Sequence, residues 1–428
     1  MRSQLDARIL SLAIARMVSA LANSFLVVVL PLYIGSQAVT MPSVTGSTVG
    51  VFGVGIDVTV ELLIAIVLSL FGFLNSFSQP FTGSLSDRTG RRKVFLLIGL
   101  ALVATGSAGY LVFTDYYLVL AMRGLQGIGA AFSIPITVAL VNELSVDGER
   151  GGNFGLFNTF RLIGFGVGPL IAGVVIAGGP YVVAGVDVTG FDASFLVAVV
   201  GAAISFALIT VLISDPERSE ESASKDISIR VVGEDGGLDP VFALGLATIV
   251  MALSIAIYAP LANVINARLD QGSFLYSVQF GATVLANVFF QLPIGRLSDR
   301  YGRRPFLLGG FVLLVPATLA QGFITDSYLM VVARFVQGVA VAAVFAPSLA
   351  LAGDLAKEGA SGSTLSLLTM GFGLGVAVGT LLSGFLVAFG FAVPFVAAAV
   401  GGVVGLGLVV TQVSEPNTGS ASPTPSDD

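Results

Sequence analysis

The chain has 428 residues, of which 55% are hydrophobic and only 11% are charged, and its formal net charge is −6. Soluble domains carry about 25% charged residues, so this composition excludes a soluble enzyme and a disordered chain. Cysteine and histidine are both absent, which excludes a disulfide scaffold, thiol catalysis and most zinc sites, and we expect no metal and no cofactor.

Apolar stretches of about 20 residues recur along the whole chain, and a helix of that length crosses about 30 Å of hydrocarbon. In chain order we predict twelve membrane spans: 9–35, 61–85, 94–113, 117–142, 154–178, 193–213, 241–266, 273–296, 306–324, 328–352, 362–388 and 391–413. The first stretch is too long for the apolar region of a signal peptide and contains no small-residue cleavage site, so we expect it to remain as span 1. The fold class is therefore an all-α polytopic membrane protein.

Lysine and arginine concentrate in the cytoplasmic loops of membrane proteins, so their positions predict the orientation. With the N-terminus in the cytoplasm, fifteen of the 20 basic residues fall on the cytoplasmic side and only Arg268 falls outside. The remaining four lie within spans: Arg16, Arg123, Arg161 and Arg334. We therefore expect a multi-pass protein of the plasma membrane with both termini in the cytoplasm.

The two halves of the chain repeat each other. The loop 83–92, GSLSDRTGRR, recurs 212 residues later at 295–304 as GRLSDRYGRR, and residues of spans 4 and 5 recur at an offset of 211. Six spans per half give both halves the same orientation, and secondary transporters built this way hold their site between the halves. We therefore predict an N-terminal six-helix bundle (1–213), a cytoplasmic linker (214–240), a C-terminal six-helix bundle (241–413) and a disordered cytoplasmic tail (414–428).

These doubled motifs resemble those of the major facilitator superfamily over essentially the whole chain except the tail. The loop between spans 2 and 3 matches that family's pattern, and its copy between spans 8 and 9 is a second match. In span 5, the run from Gly164 to Gly173, GFGVGPLIAG, resembles the Gly-Pro signature of drug–proton antiporters. The resemblance implies the major facilitator fold, with two pseudo-symmetric six-helix bundles, and secondary transport by alternating access.

The resemblance also implies that the two charged loops form a latch between the halves, which holds one access state and breaks in the other. The candidate residues are Gly83, Asp87, Arg88, Gly90, Arg91 and Arg92, with the copies Gly295, Asp299, Arg300, Gly302, Arg303 and Arg304. Glu143, at the cytoplasmic end of span 4, is a candidate partner for Arg88 or Arg91. Under the alternative interpretation, the positive charges only hold the loops in the cytoplasm.

Span 5 is rich in glycine. Gly164, Gly168 and Gly173 permit the close approach of another helix, and Pro169 bends the span. The resemblance implies that these residues form a hinge and a seal against leak. Ordinary packing of small residues is the alternative.

Proton-coupled exporters of this family usually hold a titratable carboxylate within the membrane, yet none of the 26 acidic residues falls in the middle of a span. The candidate proton carriers are therefore Glu61 and Glu143, with Asp57 beside Glu61. The resemblance implies that Arg123, about 9 Å deep in span 4, influences proton transfer; alternatively its side chain reaches back to the outer interface. The missing central acid argues against a cationic substrate and favours a neutral lipophilic or an anionic one.

Two further charges lie within the predicted membrane region. Arg16 in span 1 and Arg161 in span 5 have no counterpart in the second half. Because an intramembrane charge marks a functional site, we expect each of them either to hold an anionic group or to pair with Glu143. Four uncharged polar residues on spans 1, 7 and 8 are further candidates for substrate contact: Asn23, Asn263, Thr283 and Asn287. The pair on span 8 alternatively bonds helices together.

The predicted function is secondary active transport, with proton-coupled efflux of small amphipathic, drug-like compounds by a monomer in the lipid bilayer. We expect a central cavity between spans 1, 4, 7 and 10 with an aromatic lining: Phe25, Tyr33, Phe132, Tyr258 and Phe345. One alternative is a transporter of a small organic anion that uses Arg16 and Arg161, and a remote alternative is a non-transporting sensor. The sequence has no Gly-x-x-x-x-Gly-Lys motif for an ATP-driven pump, no nucleophile–base pair for an enzyme and no nucleic-acid patch.

Overall fold

The computed structural model describes residues 7–51, 54–145, 150–183, 185–215, 231–232, 236–355 and 361–413. Most of the predicted linker 214–240 and all of the predicted tail 414–428 lie outside these residues.

The described residues form long α-helices in chain order. Their bounds are α1 Ala7–Gly35, α2 Val60–Thr89, α3 Arg92–Gly109, α4 Tyr116–Leu144, α5 Arg150–Gly178, α6 Gly190–Leu212, α7 Pro240–Ala256, α8 Ala262–Arg268, α9 Ser273–Tyr301, α10 Arg303–Gln321, α11 Ser327–Leu355, α12 Ser361–Leu386 and α13 Val393–Gln412. Twelve segments of the described chain are long and apolar enough to cross a membrane, with α7 and α8 together forming one of them. The prediction of an all-α polytopic protein with twelve spans is confirmed.

Side-chain caps and turns determine where several helices begin and end. Thr59 accepts a hydrogen bond from the N–H of Leu62 at the start of α2, and Asp115 and Asp239 cap α4 and α7 in the same way. Such caps satisfy N–H groups that have no partner within the helix. At the other end, α2 and α9 continue past the predicted limits of 85 and 296, because Gly90 (φ 67°) and Gly302 (φ 96°) are the residues that leave helical geometry.

The seventh span is interrupted, whereas the sequence predicted one continuous helix over 241–266. The helix α7 ends at Ala256, a 3-10 turn covers Ala259–Leu261, and α8 continues from Ala262. Pro260 in the turn has no N–H to donate, which favours a break at this position. The resulting bend turns α8 towards the end of α1 in the other bundle.

Two short β-hairpins, which the sequence did not predict, lie on one side of the molecule. They pair β1 (Thr48–Val51) with β2 (Val54–Asp57), and β3 (Tyr181–Val183) with β4 (Val186–Val188). Strands of three or four residues carry too little alternation to stand out beside 20-residue apolar runs. We call this side the hairpin face, and the opposite side, with loops 83–92 and 295–304, the motif face.

The helices pack as two bundles with the same internal arrangement. In the first bundle α1 packs against α5 and α6, and α4 packs against α2 and α3. In the second bundle α7 packs against α12 and α13, and α11 packs against α9 and α10. The bundles meet where α2 packs against α12 and α5 packs against α9.

The apolar cores show which side of the molecule is closed. At the hairpin face a single core joins both bundles, with Phe25 and Phe195 from the first and Tyr276 and Phe395 from the second. Towards the motif face, the two remaining clusters of described buried residues are each built from one bundle only. The bundles are therefore packed together over the hairpin face and have separate cores towards the motif face.

Candidate functional site

A buried arginine lies at the centre of the first bundle. Arg123 on α4 is only 2% exposed, and its Nη1 donates to Gln126 Oε1 at 2.9 Å. Gln126 Oε1 also accepts from the Tyr110 hydroxyl at 3.1 Å, and Gln126 Nε2 donates to Ser107 at 2.9 Å. The guanidinium lies 4.2 Å from the centre of the Phe71 ring. Arg123 therefore faces the interior of its own bundle and does not reach the outer interface.

The second bundle repeats this cluster around Arg334 on α11, which is fully buried. Arg334 Nη1 donates to Gln337 Oε1 at 2.5 Å, and Gln337 Nε2 donates to Thr318 at 2.9 Å. The guanidinium lies 4.0 Å from the centre of the Tyr258 ring. The hydroxyl of Thr283, a predicted substrate contact, donates instead to the backbone carbonyl of Arg334 at 2.8 Å and so links α9 to α11.

The first charged loop folds back on its own bundle. Arg92, at the start of α3, is buried and its Nε donates to both carboxylate oxygens of Glu143 at 2.7 Å, while its Nη1 donates to Asp87 at 2.8 Å. The sequence predicted Arg88 or Arg91 as the partner of Glu143. Both of these side chains are exposed, because the left-handed Gly90 turns the chain so that Arg92 faces α4. We call the ion pairs of Arg92 with Glu143 and Asp87 the first clamp.

The second charged loop makes similar ion pairs, but through the sequence copy of Arg91 and not through that of Arg92. Arg303 forms ion pairs with Asp354 and with Asp299, the latter at 3.2 Å. We call these pairs the second clamp. Next to it, Arg304 donates to the Val410 carbonyl at 2.8 Å, and Arg300 is exposed.

The glycines that begin the two charged loops, Gly83 and Gly295, have open space around them. A Cβ at Gly295 would meet nothing within 4 Å, and one at Gly83 would have only Pro135 Cβ at 3.8 Å. These two positions therefore do not require glycine for close packing. Among the described residues, each clamp joins side chains of its own bundle only. The predicted latch between the halves stays a prediction.

The glycines of α5 lie against neighbouring backbone. A Cβ on Gly164 would stand 2.0 Å from the Met17 carbonyl oxygen of α1, and one on Gly168 would stand 2.8 Å from the Leu21 carbonyl oxygen. Gly173 approaches α9 of the other bundle, where a Cβ would stand 2.5 Å from Ser277 Cβ. Pro169, beside Gly168, is buried. Close packing is thus one function of this run, and the hinge and seal stay predictions.

At the hairpin face, α1 meets the bend after α7. Asn263 Nδ2 donates to the Pro31 carbonyl oxygen at 3.0 Å. A Cβ on Gly35 would stand 1.8 Å from the same amide nitrogen. Asn263 was predicted as a cavity residue, and the structure places it in this closure between the bundles.

The predicted proton carriers near this face lie in two places. Asp57 ends β2 and accepts a hydrogen bond from the Thr48 hydroxyl at 2.5 Å. Glu61 lies in the first turn of α2, and its carbonyl oxygen would stand 2.5 Å from a Cβ on Gly384. Their predicted role in proton transfer stays a prediction.

Arg16 and Arg161 are brought together in the half of the first bundle nearer the motif face. Gly164 packs on Met17, so Arg161, one turn before Gly164, lies beside Arg16, and the two guanidinium groups repel each other. Arg161 Nε and Nη2 both donate to Asn158 Oδ1, at 3.0 and 2.9 Å. Among the described residues, neither arginine forms an ion pair with a carboxylate.

A small cleft beside Arg16, with a volume of about 10 Å³, has room for about one water molecule. Its lining combines aliphatic side chains with three hydroxyls, from Ser19 on α1 and from Ser133 and Thr137 on α4. We call Arg16, Arg161 and this cleft the arginine site. Asn23, also predicted as a substrate contact, lies two turns from Arg16 on the same side of α1 and is half-buried.

Across from the arginine site, α9 offers unpaired acceptors. Asn287 Oδ1 and Gln291 Oε1 are both buried without a hydrogen-bond partner in the described part of the chain. Asn287 lies between Leu285 and Val288, which are the residues that face Gly166 on α5. The predicted contact Asn287 is therefore about one turn of helix from the level of Arg161.

The predicted aromatic lining divides into two groups. Phe25, Tyr33 and Tyr258 are buried in the shared core and help close the hairpin face. Phe132 stacks on Phe95 with ring centres 6.0 Å apart, and Phe345 lies 5.3 Å from Phe372; both are half-buried. Only this second group lies in the half of the molecule that holds the arginine site.

Comparison with known proteins identifies the family. The sequence pattern of the Major Facilitator Superfamily matches residues 12–238 and 244–427. The chain belongs to the Major Facilitator Superfamily. It is therefore a multi-pass membrane transporter of small molecules, not an enzyme, and its sequence relatives include multidrug transporters and a citrate exporter.

Two relatives and one solved structure illustrate the range of this superfamily. The chain is 24% identical to Multidrug resistance protein 2 of Bacillus subtilis, over 83% of this chain and 87% of that protein. It is 30% identical to Citrate exporter 1 of Aspergillus niger over 119 residues, which are 26% of this chain and only 21% of that protein. The crystal structure of the human organic anion transporter MFSD10 (TETRAN) has the same fold, with a TM-score of 0.65, 19% identity and coverage of 94% and 98%.

Four polar residues of the arginine site were not found from the sequence. Asn158 orients Arg161, and Ser19, Ser133 and Thr137 line the cleft. The spacing of Asn158 and Arg161, three apart on one helix face, was a usable signal. The hydroxyls of Ser133 and Thr137 donate to backbone carbonyls of their own helix, as serine and threonine often do in membrane helices. Their positions in the sequence therefore did not indicate a binding site.

Proposed function

We propose that the protein is a secondary active exporter of small amphipathic compounds that carry an acidic group, and that it works by alternating access. The observation that carries this proposal is the arginine site, where Arg16 and Arg161 lie side by side with no carboxylate partner among the described residues. A charge within a membrane span costs several kcal/mol unless it is hydrated or paired. An anionic group of a substrate supplies that pairing.

The second bundle supports an apolar body for the substrate. The glycine contacts align α1 with α7 and α5 with α12, because Gly164 meets Met17 as Gly375 meets Ile249. In this alignment Phe372 occupies the place of Arg161, and it lies against Phe345. A substrate whose acidic group binds to the first bundle and whose apolar part faces these rings is an amphipathic anion.

Charge also argues against the opposite class of substrate. A cation entering the arginine site meets two positive charges, and each contact at about 4 Å is repulsive by about 4 kcal/mol at an effective dielectric constant of 20. The names of two similar proteins agree with an acidic substrate: a citrate exporter and an organic anion transporter.

The orientation and location belong to the same proposal. We infer that the motif face is cytoplasmic, because its loops carry most of the basic residues, and that the protein lies in the plasma membrane as a monomer. With the hairpin face closed, the arginine site is then on the side from which an exporter takes its substrate.

A second candidate is proton-driven efflux of neutral drug-like compounds. It is favoured by the match to Multidrug resistance protein 2, which extends over most of both chains. In that case Glu61 or Glu143 carries the proton and Arg123 influences its transfer. The clamp around Glu143 then has to open in each transport cycle, because Arg92 holds the carboxylate in the present state.

Flux into proteoliposomes tests these two candidates together. Radiolabelled benzoate and citrate, neutral rhodamine dyes and the cation ethidium are offered with and without a pH gradient. We expect flux of benzoate or citrate in the unsubstituted protein. We expect this flux to be at least tenfold lower in the Arg16→Gln, Arg161→Gln double variant. Arg268→Gln is the matched control, since Arg268 lies over Phe391 at the hairpin face.

The outcomes separate the candidates. Gradient-driven flux of the neutral dye that survives in the double variant but is lost in Glu61→Gln or Glu143→Gln supports proton-driven efflux instead. Ethidium flux without benzoate or citrate flux contradicts an acidic substrate.

A further inference from the structure

The arginine site contains two like charges that no described residue balances. Arg16 makes no hydrogen bond to any described residue, and its strongest charged neighbour is the positive Arg161. The only side-chain acceptor bound to Arg161 in the described chain is the neutral Asn158. An empty site therefore depends on water to stabilise both charges.

The described parts of the elements packed around the site bring no unpaired negative charge to it. The cleft is lined on α3 and α6 by Leu96, Leu100 and Ile209. On the opposite side α9 presents Leu285 and Val288 to α5. The nearest acidic residue of α4, Glu143, is already held by Arg92. The equivalent positions of the second bundle, Thr248 and Phe372, are uncharged.

Alternating access closes the motif side of the site before the hairpin side opens. Closure removes the water that stabilises the two guanidinium groups, and among the described residues α9 of the approaching second bundle offers the neutral acceptors of Asn287 and Gln291. An empty site closes over two uncompensated positive charges, which is strongly unfavourable. A site that holds an anion closes over a compensated pair. The loaded carrier is thus the form that crosses between states in either direction.

We propose that the protein is an obligatory anion exchanger: after an organic anion leaves at the hairpin face, a second anion has to bind before the carrier returns. This inference rests on the proposed function, and it adds the coupling partner, an anion taken up from the opposite side. Exchange of two anions of equal charge moves no net charge, so it needs no membrane potential.

The test measures uptake of radiolabelled benzoate into proteoliposomes that contain unlabelled benzoate, potassium chloride or isotonic mannitol. We expect uptake at least tenfold faster with internal benzoate than with mannitol. The chloride arm shows whether an inorganic anion also serves as the exchange partner. A potassium diffusion potential imposed with valinomycin is expected to leave benzoate–benzoate exchange unchanged. Equal uptake in the benzoate and mannitol arms overturns obligatory exchange and leaves the proposed function standing, whereas no uptake in any arm overturns both.

A second measurement does not depend on flux. The chain has no cysteine, so spin labels attach only at the introduced Leu85→Cys and Leu297→Cys, which are exposed on α2 and α9 near the motif face (45% and 44% exposed). For the unsubstituted carrier in mannitol, we expect a single long distance between the two spin labels. Addition of 10 mM benzoate is expected to add a population with a shorter distance. Arg16→Gln with Arg161→Gln is expected to show the shorter distance without any anion, because no charge opposes closure, while Arg161→Lys keeps the dependence on benzoate. A short distance populated equally with and without benzoate in the unsubstituted carrier overturns the proposal.

Discussion

The two bundles share one construction but differ at the positions that face the substrate path. Each has a buried arginine bonded to a glutamine three residues later, and each has an arginine clamp at the motif face. At the level of the arginine site, however, the first bundle carries Arg16 and Arg161, where the second has Thr248 and Phe372. Thr248 bonds to the Leu244 carbonyl of its own helix.

This difference shows which parts belong to the carrier in general and which belong to its substrate. Shared parts are needed for two bundles to pack and to move, so they recur at offsets of 211 and 212. A substrate that is acidic at one end and apolar at the other has no such symmetry. The part of the site that binds it is therefore expected to differ between the bundles.

The largest effect is expected where a shared glycine contacts backbone. Gly164→Ala places a Cβ 2.0 Å from the Met17 carbonyl oxygen, and Gly375→Ala places one 2.3 Å from the Ile249 carbonyl oxygen. Backbone cannot rotate away, so we expect each variant to lose about 3 kcal/mol of stability or more. The loss of circular dichroism at 222 nm on heating in detergent measures this change in stability.

Gly155→Ala is the matched control in the same helix, because a Cβ there meets nothing within 4 Å. It is expected to be neutral or slightly stabilising. Unfolding midpoints that are equal for Gly155→Ala and Gly164→Ala would contradict the close approach of α1 and α5.

The next largest effect is expected when the first bundle receives the residue that the second bundle has at the equivalent position. Arg161→Phe gives the first bundle the residue that the second has at 372, and we expect benzoate transport to fall by about 10- to 100-fold, the equivalent of one or two charge-assisted hydrogen bonds. Phe372→Leu removes only ring contact, so we expect a change below about fivefold. Flux in proteoliposomes measures both. A larger loss in Phe372→Leu than in Arg161→Phe would reverse the roles assigned to the bundles.

The clamps predict a third, smaller difference. In the first clamp the side chains of Arg92 and Glu143 are 8% and 20% exposed, whereas in the second those of Arg303 and Asp354 are 19% and 50% exposed. Removing one partner of a buried pair leaves an uncompensated charge, but an exposed pair contributes little. We expect Glu143→Gln to cost about 2 kcal/mol of stability and Asp354→Asn about 0.5 kcal/mol. Thermal unfolding in detergent compares them, and equal costs would show that burial does not distinguish the clamps.

Much of this fold could be predicted from the sequence, because twelve apolar runs and a doubled charged loop are strong local signals. The break at Pro260 and the two hairpins could not, since a few residues decide each. The identity of the partner of Glu143 depended on the turn at Gly90, which rotates Arg92 inwards and leaves Arg88 and Arg91 exposed. Pattern alone does not fix such a rotation.

The candidate site was predictable in part. Unpaired charges in apolar spans marked Arg16 and Arg161 from the sequence, but their proximity follows from the packing of Gly164 on α1. The roles of Asn263 and Thr283 depended on tertiary contacts, with the Pro31 and Arg334 carbonyls respectively, and no spacing in the sequence encodes those.

The smallest expected effect concerns a hydrogen bond that joins the two bundles at the hairpin face. The Asn263 amide on α8 donates to the Pro31 carbonyl of α1 at 3.0 Å. Asn263→Ala removes this bond, and we expect the closed hairpin face to lose about 1 kcal/mol, which raises the open fraction about fivefold. Labelling of a cysteine introduced at Ala259, which is buried in the shared core, measures the opening in both variants. The control is Asn266→Ala, because Asn266 bonds to Gln271 within its own bundle. Labelling as slow in Asn263→Ala as in Asn266→Ala would mean that the shared apolar core, and not this hydrogen bond, holds the hairpin face closed.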